Sequence, residues 1–310
     1  MKIGIIGTGK MGRNHARIYS EMRGIDEIYI YDVNTESSSK VANEFRISFC
    51  KSLEELISKV DAVSICVPTK YHFEIASKVI NAGKHCLIEK PITLNTEDGK
   101  KLIELSKNKS ITIGVGHIER FNPIIPEIKK IISNPKYIEI KRHNPDSGRI
   151  TDADIISDLM IHDIDIVFNY LFKNNNFEIS GALGVKNDLF DLVSALFKCN
   201  STVVSLSSSR LSSNKIRSIV VEEEDKTIVG DYMSQEIYIY RKPEKNIIQN
   251  ADYRQENLIE KVMVSKVEPL RLELSNFINS IKNKEKFPIS LEDAVNALEI
   301  AELIRTKVNK

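Results

Sequence analysis

The chain opens Lys2-Ile3-Gly4-Ile5-Ile6-Gly7-Thr8-Gly9-Lys10-Met11-Gly12, and this stretch decides how its first third is built. Lys2–Ile6 is an apolar run of strand length, and Met11–Met22 carries helical periodicity. Between them stands a G-x-G-x-x-G. Each glycine answers a separate need: Gly7 permits the tight turn, Gly9 lets backbone approach a pyrophosphate, and Gly12 lets helix pack on strand. The helix start offers N–H groups and a positive dipole end to phosphate. Asp32 follows the run Glu27–Tyr31, about twenty positions past Gly12. A carboxylate there accepts ribose hydroxyls and repels a 2′-phosphate. Val33-Asn34-Thr35 bring no Arg or Lys, which favours NAD over NADP. Gly7, Thr8, Gly9, Lys10, Met11, Gly12 and Asp32 are therefore the expected cofactor-binding residues. The competing reading is a glycine-rich turn in an unrelated fold, against which the strand–turn–helix context weighs.

Outward from this stretch, apolar runs alternate with helical patterns. The runs are Glu27–Tyr31, Ala62–Val67, His85–Ile88 and Ile111–Val115, with a weaker one near Ile47–Cys50. The helical patterns are Ser37–Phe45, Leu53–Val60, Tyr71–Ala82 and Thr96–Asn108. Such alternation predicts an α/β domain with a doubly wound parallel sheet, covered on both faces. The pattern changes at Phe121. Asn122-Pro123 starts a helix over 124–133, Tyr137–Arg142 is a run, and a helix covers Ala153 to Leu171. Strands then follow one another over 177–186, 189–198, 201–210, 215–223, 226–230 and 235–241, which implies antiparallel pairing in an α+β domain. Helices over 267–283 and 291–308 close the chain, the second opening on the capping-box pattern Ser290-Leu291-Glu292-Asp293. The expected division is 1–121 for the nucleotide and 122–310 for substrate and oligomerisation, with 291–308 a candidate to pack back on the first domain.

Composition excludes several classes. Of 310 residues, 42% are hydrophobic and 28% charged, and 44 basic side chains balance 43 acidic ones for a net charge of +1. Nothing here calls for nucleic acid or an anionic membrane as partner. No apolar run approaches the ~20 residues that cross a bilayer, and Gly7-Thr8-Gly9 interrupts the N-terminal run too early for a signal peptide. Cys50, Cys66, Cys86 and Cys199 form no C-x-x-C and no metal-like cluster, so no metal is expected and a reducing cytoplasm fits.

Two constellations carry chemistry. Glu89-Lys90-Pro91 follows the run His85–Ile88, and ligands of an open parallel sheet bind at the carboxyl ends of its strands. A lysine there can stabilise the developing charge on an oxygen that becomes a carbonyl; the alternative is a solvated surface lysine. Asp158 and His162 are four apart in a predicted helix, hence on one face. A histidine beside a carboxylate is a candidate general base, against a capped or solvated pair. Metal binding by the two has no further histidine cluster to support it.

These residues resemble the Gfo/Idh/MocA oxidoreductases. The resemblance runs over nearly the whole chain, through Gly7-x-Gly9-x-Met11-Gly12-x-x-His15, Val67-Pro68-Thr69-x-x-His72, Glu89-Lys90-Pro91 and Asp158-x-x-x-His162-x-x-Asp165. It implies a Rossmann domain, a second domain with an open, mostly antiparallel sheet, and a tightly held nicotinamide cofactor. It implies further that Lys90 and His162 flank the reacting carbinol, with His162 as base and Asp158 as its partner. Pro68, Thr69 and His72 would line the nicotinamide end of the cofactor, with Glu89 and Lys90 beside them, and His15 would pack the first helix. Gly116-His117-Ile118-Glu119-Arg120-Phe121-Asn122-Pro123 and Gly230-Asp231-Tyr232-x-x-Gln235 look like the nucleotide-sugar branch, which oxidises C3 of UDP-N-acetylglucosamine to a ketone. A free polyol or sugar dehydrogenase, and an NAD-binding regulator without chemistry, are the rival expectations. Met160 stands where many family members have glycine. A UDP-sugar calls for cations, and Arg142 and Arg149, flanking a polar loop, could meet its diphosphate or stay solvated. His117 could touch substrate or cofactor, or be a hydrogen-bonded strand-end residue. Arg120 is a further candidate contact, or a brace at the domain junction against a carboxylate. The family favours a homodimer or homotetramer.

Overall fold

Six parallel strands, β1 (Lys2–Ile6), β2 (Glu27–Tyr31), β3 (Ser48–Phe49), β4 (Ala62–Ile65), β5 (His85–Glu89) and β6 (Ile113–Gly116), pair in the order β3-β2-β1-β4-β5-β6. The computed structural model describes residues 1–145, 154–173, 176–186, 190–242, 247–249, 252–254 and 258–308. The chain divides into two units: Met1–Phe121 with Glu268–Glu299, and Asn122–Val267 with Ile300–Lys310. The first unit is the doubly wound sheet with helices α1 (Lys10–Glu21), α2 (Thr35–Phe45), α3 (Leu53–Lys59), α4 (His72–Asn81) and α5 (Thr96–Ser106). Polar side chains set the starts of three of them: Asn34, Ser52 and Asn95 accept from the backbone N–H three residues on, the geometry that satisfies first-turn donors.

Residues 268–299 return to the first unit, earlier than the packing back expected of 291–308, while 300–310 group with the second unit. Helix α8 (Pro269–Asn283) places Leu270, Leu274 and Phe277 in one apolar core with Ile3, Val63 and Ile88. Phe287 fills the space over β6: a Cβ added to Gly114 would lie 2.2 Å from its ring. Ser290 accepts from Asp293 N at 3.1 Å and starts α9 (Leu291–Val308).

The second unit begins with Asn122, whose Oδ1 accepts from Ile124 N at 3.4 Å, and with α6 (Ile124–Ile131). Its sheet is built from β7 (Tyr137–His143), β8 (Phe177–Lys186), β9 (Phe190–Cys199), β10 (Thr202–Ser209), β11 (Ile216–Glu222), β12 (Lys226–Asp231), β13 (Glu236–Arg241) and, after a small hairpin of β14 (Ile247–Gln249) and β15 (Asp252–Arg254), β16 (Leu258–Val262). The order is β16-β13-β12-β11-β7-β10-β9-β8, antiparallel except where β10 runs parallel to β7. The expected helix of 153–171 is a composite: π-helical over Ile156–Met160, α-helical over α7 (Ile161–Ile164), and π-helical again over Asp165–Leu171. Among the described residues no helix is long and apolar enough to cross a membrane.

Candidate active site

In the first unit the glycine loop meets the demands of a dinucleotide. Gly7 sits at φ +96°, and a Cβ there would lie 2.6 Å from Cys66 O. At Gly12 a Cβ would lie 1.9 Å from Gly7 O, so only glycine allows the turn to close on α1. Over Gly9, by contrast, a Cβ would meet nothing within 4 Å, and no side chain caps α1. Open space above uncapped N–H groups suits a pyrophosphate. Asp32 Oδ2 accepts from Thr8 N at 2.7 Å and Thr8 Oγ1 at 2.8 Å, and Oδ1 accepts from Asn34 N at 2.9 Å. The carboxylate thus ties β2 to the loop while remaining partly exposed beside Val33. Lys10 is exposed and Met11 half-buried at the start of α1. These residues fit NAD.

The carboxyl ends of β4 and β5 carry the other predicted residues. Lys90 is half-buried just past β5, and the Lys90–Pro91 peptide is cis. His72, 1% exposed, faces Pro91 O with Nδ1 at 2.8 Å and Val67 O with Nε2 at 2.9 Å. Burial lowers its pKa, partly offset by the carbonyls. Both ring nitrogens face backbone carbonyls, so the imidazole bridges the ends of β4 and β5. Pro68 is exposed and Thr69 half-buried in the short turn that follows Val67. Glu89 is turned inward: its Oε1 meets His15 Nε2 at 3.0 Å, both side chains buried. His117 is buried at the end of β6. Arg120 bonds Asp293 Oδ2 at 3.1 Å and Pro288 O at 3.3 Å with its side chain 6% exposed. That is a brace inside the first unit.

In the second unit Asp158 lies in the first π-helical segment and His162 in α7. The one-face argument from α-helical spacing does not carry over, because i→i+5 hydrogen bonding widens the turn. Such segments are frequent at functional sites. His162 is 8% exposed and Met160 wholly buried. Asp158 Oδ2 accepts from Arg210 Nη2 at 3.3 Å, an arginine just past β10 that sequence reasoning missed because 52 positions separate the two.

The expected diphosphate role of Arg142 is corrected. Arg142 is 1% exposed, and its Nε and Nη2 bond Asp163 at 2.6–3.0 Å. Its guanidinium lies 5.3 Å over the Tyr232 ring. The signal was present: along β7, Arg142 shares the inward phase of Ile138 and Ile140. Arg149 lies outside the described residues. Glu273 was also missed; it is 0% exposed on α8.

The profile of the Gfo/Idh/MocA oxidoreductase family, NAD-binding Rossmann fold, matches residues 1–117. UDP-N-acetylglucosamine 3-dehydrogenase of Acidithiobacillus ferrooxidans is 33% identical over 285 residues, 91% of this chain and 88% of that protein. A solved structure of that dehydrogenase superposes with a TM-score of 0.88 at 31% identity, covering 99% of this chain and 97% of the other. Myo-inositol 2-dehydrogenase of Thermotoga maritima is 30% identical over 182 residues, 54% of this chain and 53% of its own.

Proposed function

The chain belongs to the Gfo/Idh/MocA family of NAD-binding oxidoreductases, and we propose that it oxidises C3 of UDP-N-acetylglucosamine to the 3-keto sugar. One observation carries the choice of sugar: the 33% identity to the Acidithiobacillus dehydrogenase extends over 91% of the chain, far beyond the cofactor domain that all such enzymes share. NAD, when bound, accepts the hydride. The remaining chemistry belongs to side chains. His162 takes the hydroxyl proton as general base. Asp158 orients the imidazole, and Arg210 holds Asp158 in turn. The ammonium of Lys90 steadies the oxygen as it gains carbonyl character. Asp32 sets the preference for NAD by excluding a 2′-phosphate. With Arg142 committed to Asp163, it supplies no cation to the diphosphate.

The reading places the enzyme in the cytoplasm as a homodimer or homotetramer. Its four cysteines are free thiols, and burial pushes the Cys86 thiol up to about 12. The test is reduced-nicotinamide absorbance across UDP-N-acetylglucosamine, N-acetylglucosamine, glucose 6-phosphate and myo-inositol, with NAD and NADP compared. Turnover that requires the uridine diphosphate supports the proposal. Equal turnover of myo-inositol or a free sugar removes it.

A further inference from the structure

Behind the carboxyl ends of β4, β5 and β6, the first unit buries ionisable side chains that the proposed reaction does not use. A ring nitrogen of His15, the Cys66 Sγ and a Glu89 oxygen all lie within 4.8 Å of one another. Glu273 joins them from α8. It is 0% exposed, and neither carboxylate oxygen has a hydrogen-bond partner among the described residues. The two carboxylates reach one spot: a Cβ built on Gly116 would lie 3.3 Å from Glu89 Oε1 and 3.5 Å from Glu273 Oε1. Tyr19 borders the group from α1 with its hydroxyl 2.9 Å from Ser64 Oγ.

Two carboxylates this close, one of them wholly buried, resist being ionised together. His15 bonds Glu89 and not Glu273, so the charge has a partner on one side only. Burial, and then the charge of Glu89, push Glu273 well above the usual carboxylate range. Burial, and then the charge of Glu89, also push the Cys66 thiol up, so Cys66 adds no second anion.

We propose that Glu273 is a positioning residue, whose neutral carboxyl leaves the cluster a single negative charge on Glu89, and that this charge tilts the cofactor site toward the oxidised nicotinamide. Glu89 immediately precedes Lys90 at the end of β5. The oxidised ring carries a positive charge that the reduced ring lacks. A fixed anion nearby strengthens binding of NAD and loosens NADH, the product of an oxidation. The inference rests on NAD binding and on Lys90 standing beside the reacting ring, and not on which sugar is oxidised.

Two measurements test it. The first compares infrared spectra of the cofactor-free chain with Glu273→Gln at neutral pH. A protonated-carboxyl stretch present in the wild type and lost in the variant is expected; a wild type without that band overturns the proposal. The second reads the ratio of dissociation constants for NADH and NAD, by NADH fluorescence and calorimetry, without substrate. Glu89→Gln should move that ratio about tenfold toward NADH, the scale of one partly screened charge pair. Glu89→Asp should restore it, and Glu273→Gln should leave it near the wild-type value. A wild-type ratio in Glu89→Gln, or an equal shift in Glu273→Gln, overturns the assignment. Should Glu89→Gln fail to fold, the infrared band still decides. Because no sugar is present, failure here is separate from failure of the substrate assignment.

Discussion

Arg142 and Asp163 bury a complete ion pair, each side chain 1% exposed, with the guanidinium bonded to both carboxylate oxygens. Among the described residues Arg142 heads the largest wholly buried side chains. Removing one partner strands a charge away from water, which costs about 3–5 kcal/mol. Arg142→Gln is therefore expected to lower the melting temperature sharply. At temperatures where the variant stays folded, its KM for the UDP-sugar should hold. A raised KM with unchanged stability would return Arg142 to the diphosphate.

His162→Ala should lose about 10²–10⁴-fold in kcat with little change in NAD affinity. Lys90→Met should likewise reduce kcat far more than cofactor binding. Steady-state kinetics with direct NADH titration separates the two. Equal losses in kcat and in cofactor affinity would mark Lys90 as structural.

Arg210 gives a prediction with a conservative control. Its bond to Asp158 at 3.3 Å is charge-assisted, a class worth ~1.5–3 kcal/mol. Arg210→Ala should lower kcat by about tenfold to a hundredfold while KM moves less, and Arg210→Lys should recover part of the loss. Wild-type kcat in Arg210→Ala would detach Arg210 from the reaction.

These residues also show what the sequence made legible. The glycine loop, the alternating runs and the consecutive strands each follow from local periodicity, and their elements lie within a few residues of the expected bounds. What escaped was pairing across distance. Asp163 and Arg142 are 21 apart, and Arg210 and Asp158 are 52 apart. Neither separation carries a period. The π-helical segments escaped too, because a widened turn shifts the face of every later residue while the composition stays helical. Arg142 was readable in part: strand alternation put it inward, but a charged residue near a polar loop invited a solvent-facing reading.

Asp154 provides a pH dependence. Burial raises its pKa, but Arg305, bonded at 2.7 Å, and the Ser157 N–H lower it more, so the net shift is downward. A depressed folded-state value means that the stabilisation is present above the unfolded value of 3.8 and lost as pH falls through the folded one. Arg305→Gln should cost roughly 1–2 kcal/mol at neutral pH. Its melting temperature should also fall less steeply than the wild type's below about pH 4. Parallel melting curves against pH would deny the pair this role.

Glu273 should act in the opposite sense. Its folded-state pKa is raised, so the native chain holds a proton that the unfolded chain releases. Stability is then full below the ordinary value of 4.5 and declines as pH rises toward the folded one. Glu273→Gln should remove that decline, giving a flatter melting profile from acid to neutral pH. An unchanged slope would show that Glu273 titrates as in water.

The return of Glu268–Glu299 to the first unit has a consequence for biosynthesis. Phe277 and Phe287 complete a core whose strands lie within residues 2–116, made well before them. A nascent chain holding only the first 121 residues exposes the apolar seat of α8 to the ribosome surface and to chaperones. The nucleotide-binding half can close only once residues 268–299 have been made, so a message truncated before residue 268 yields an unfinished fold and not a free-standing nucleotide binder.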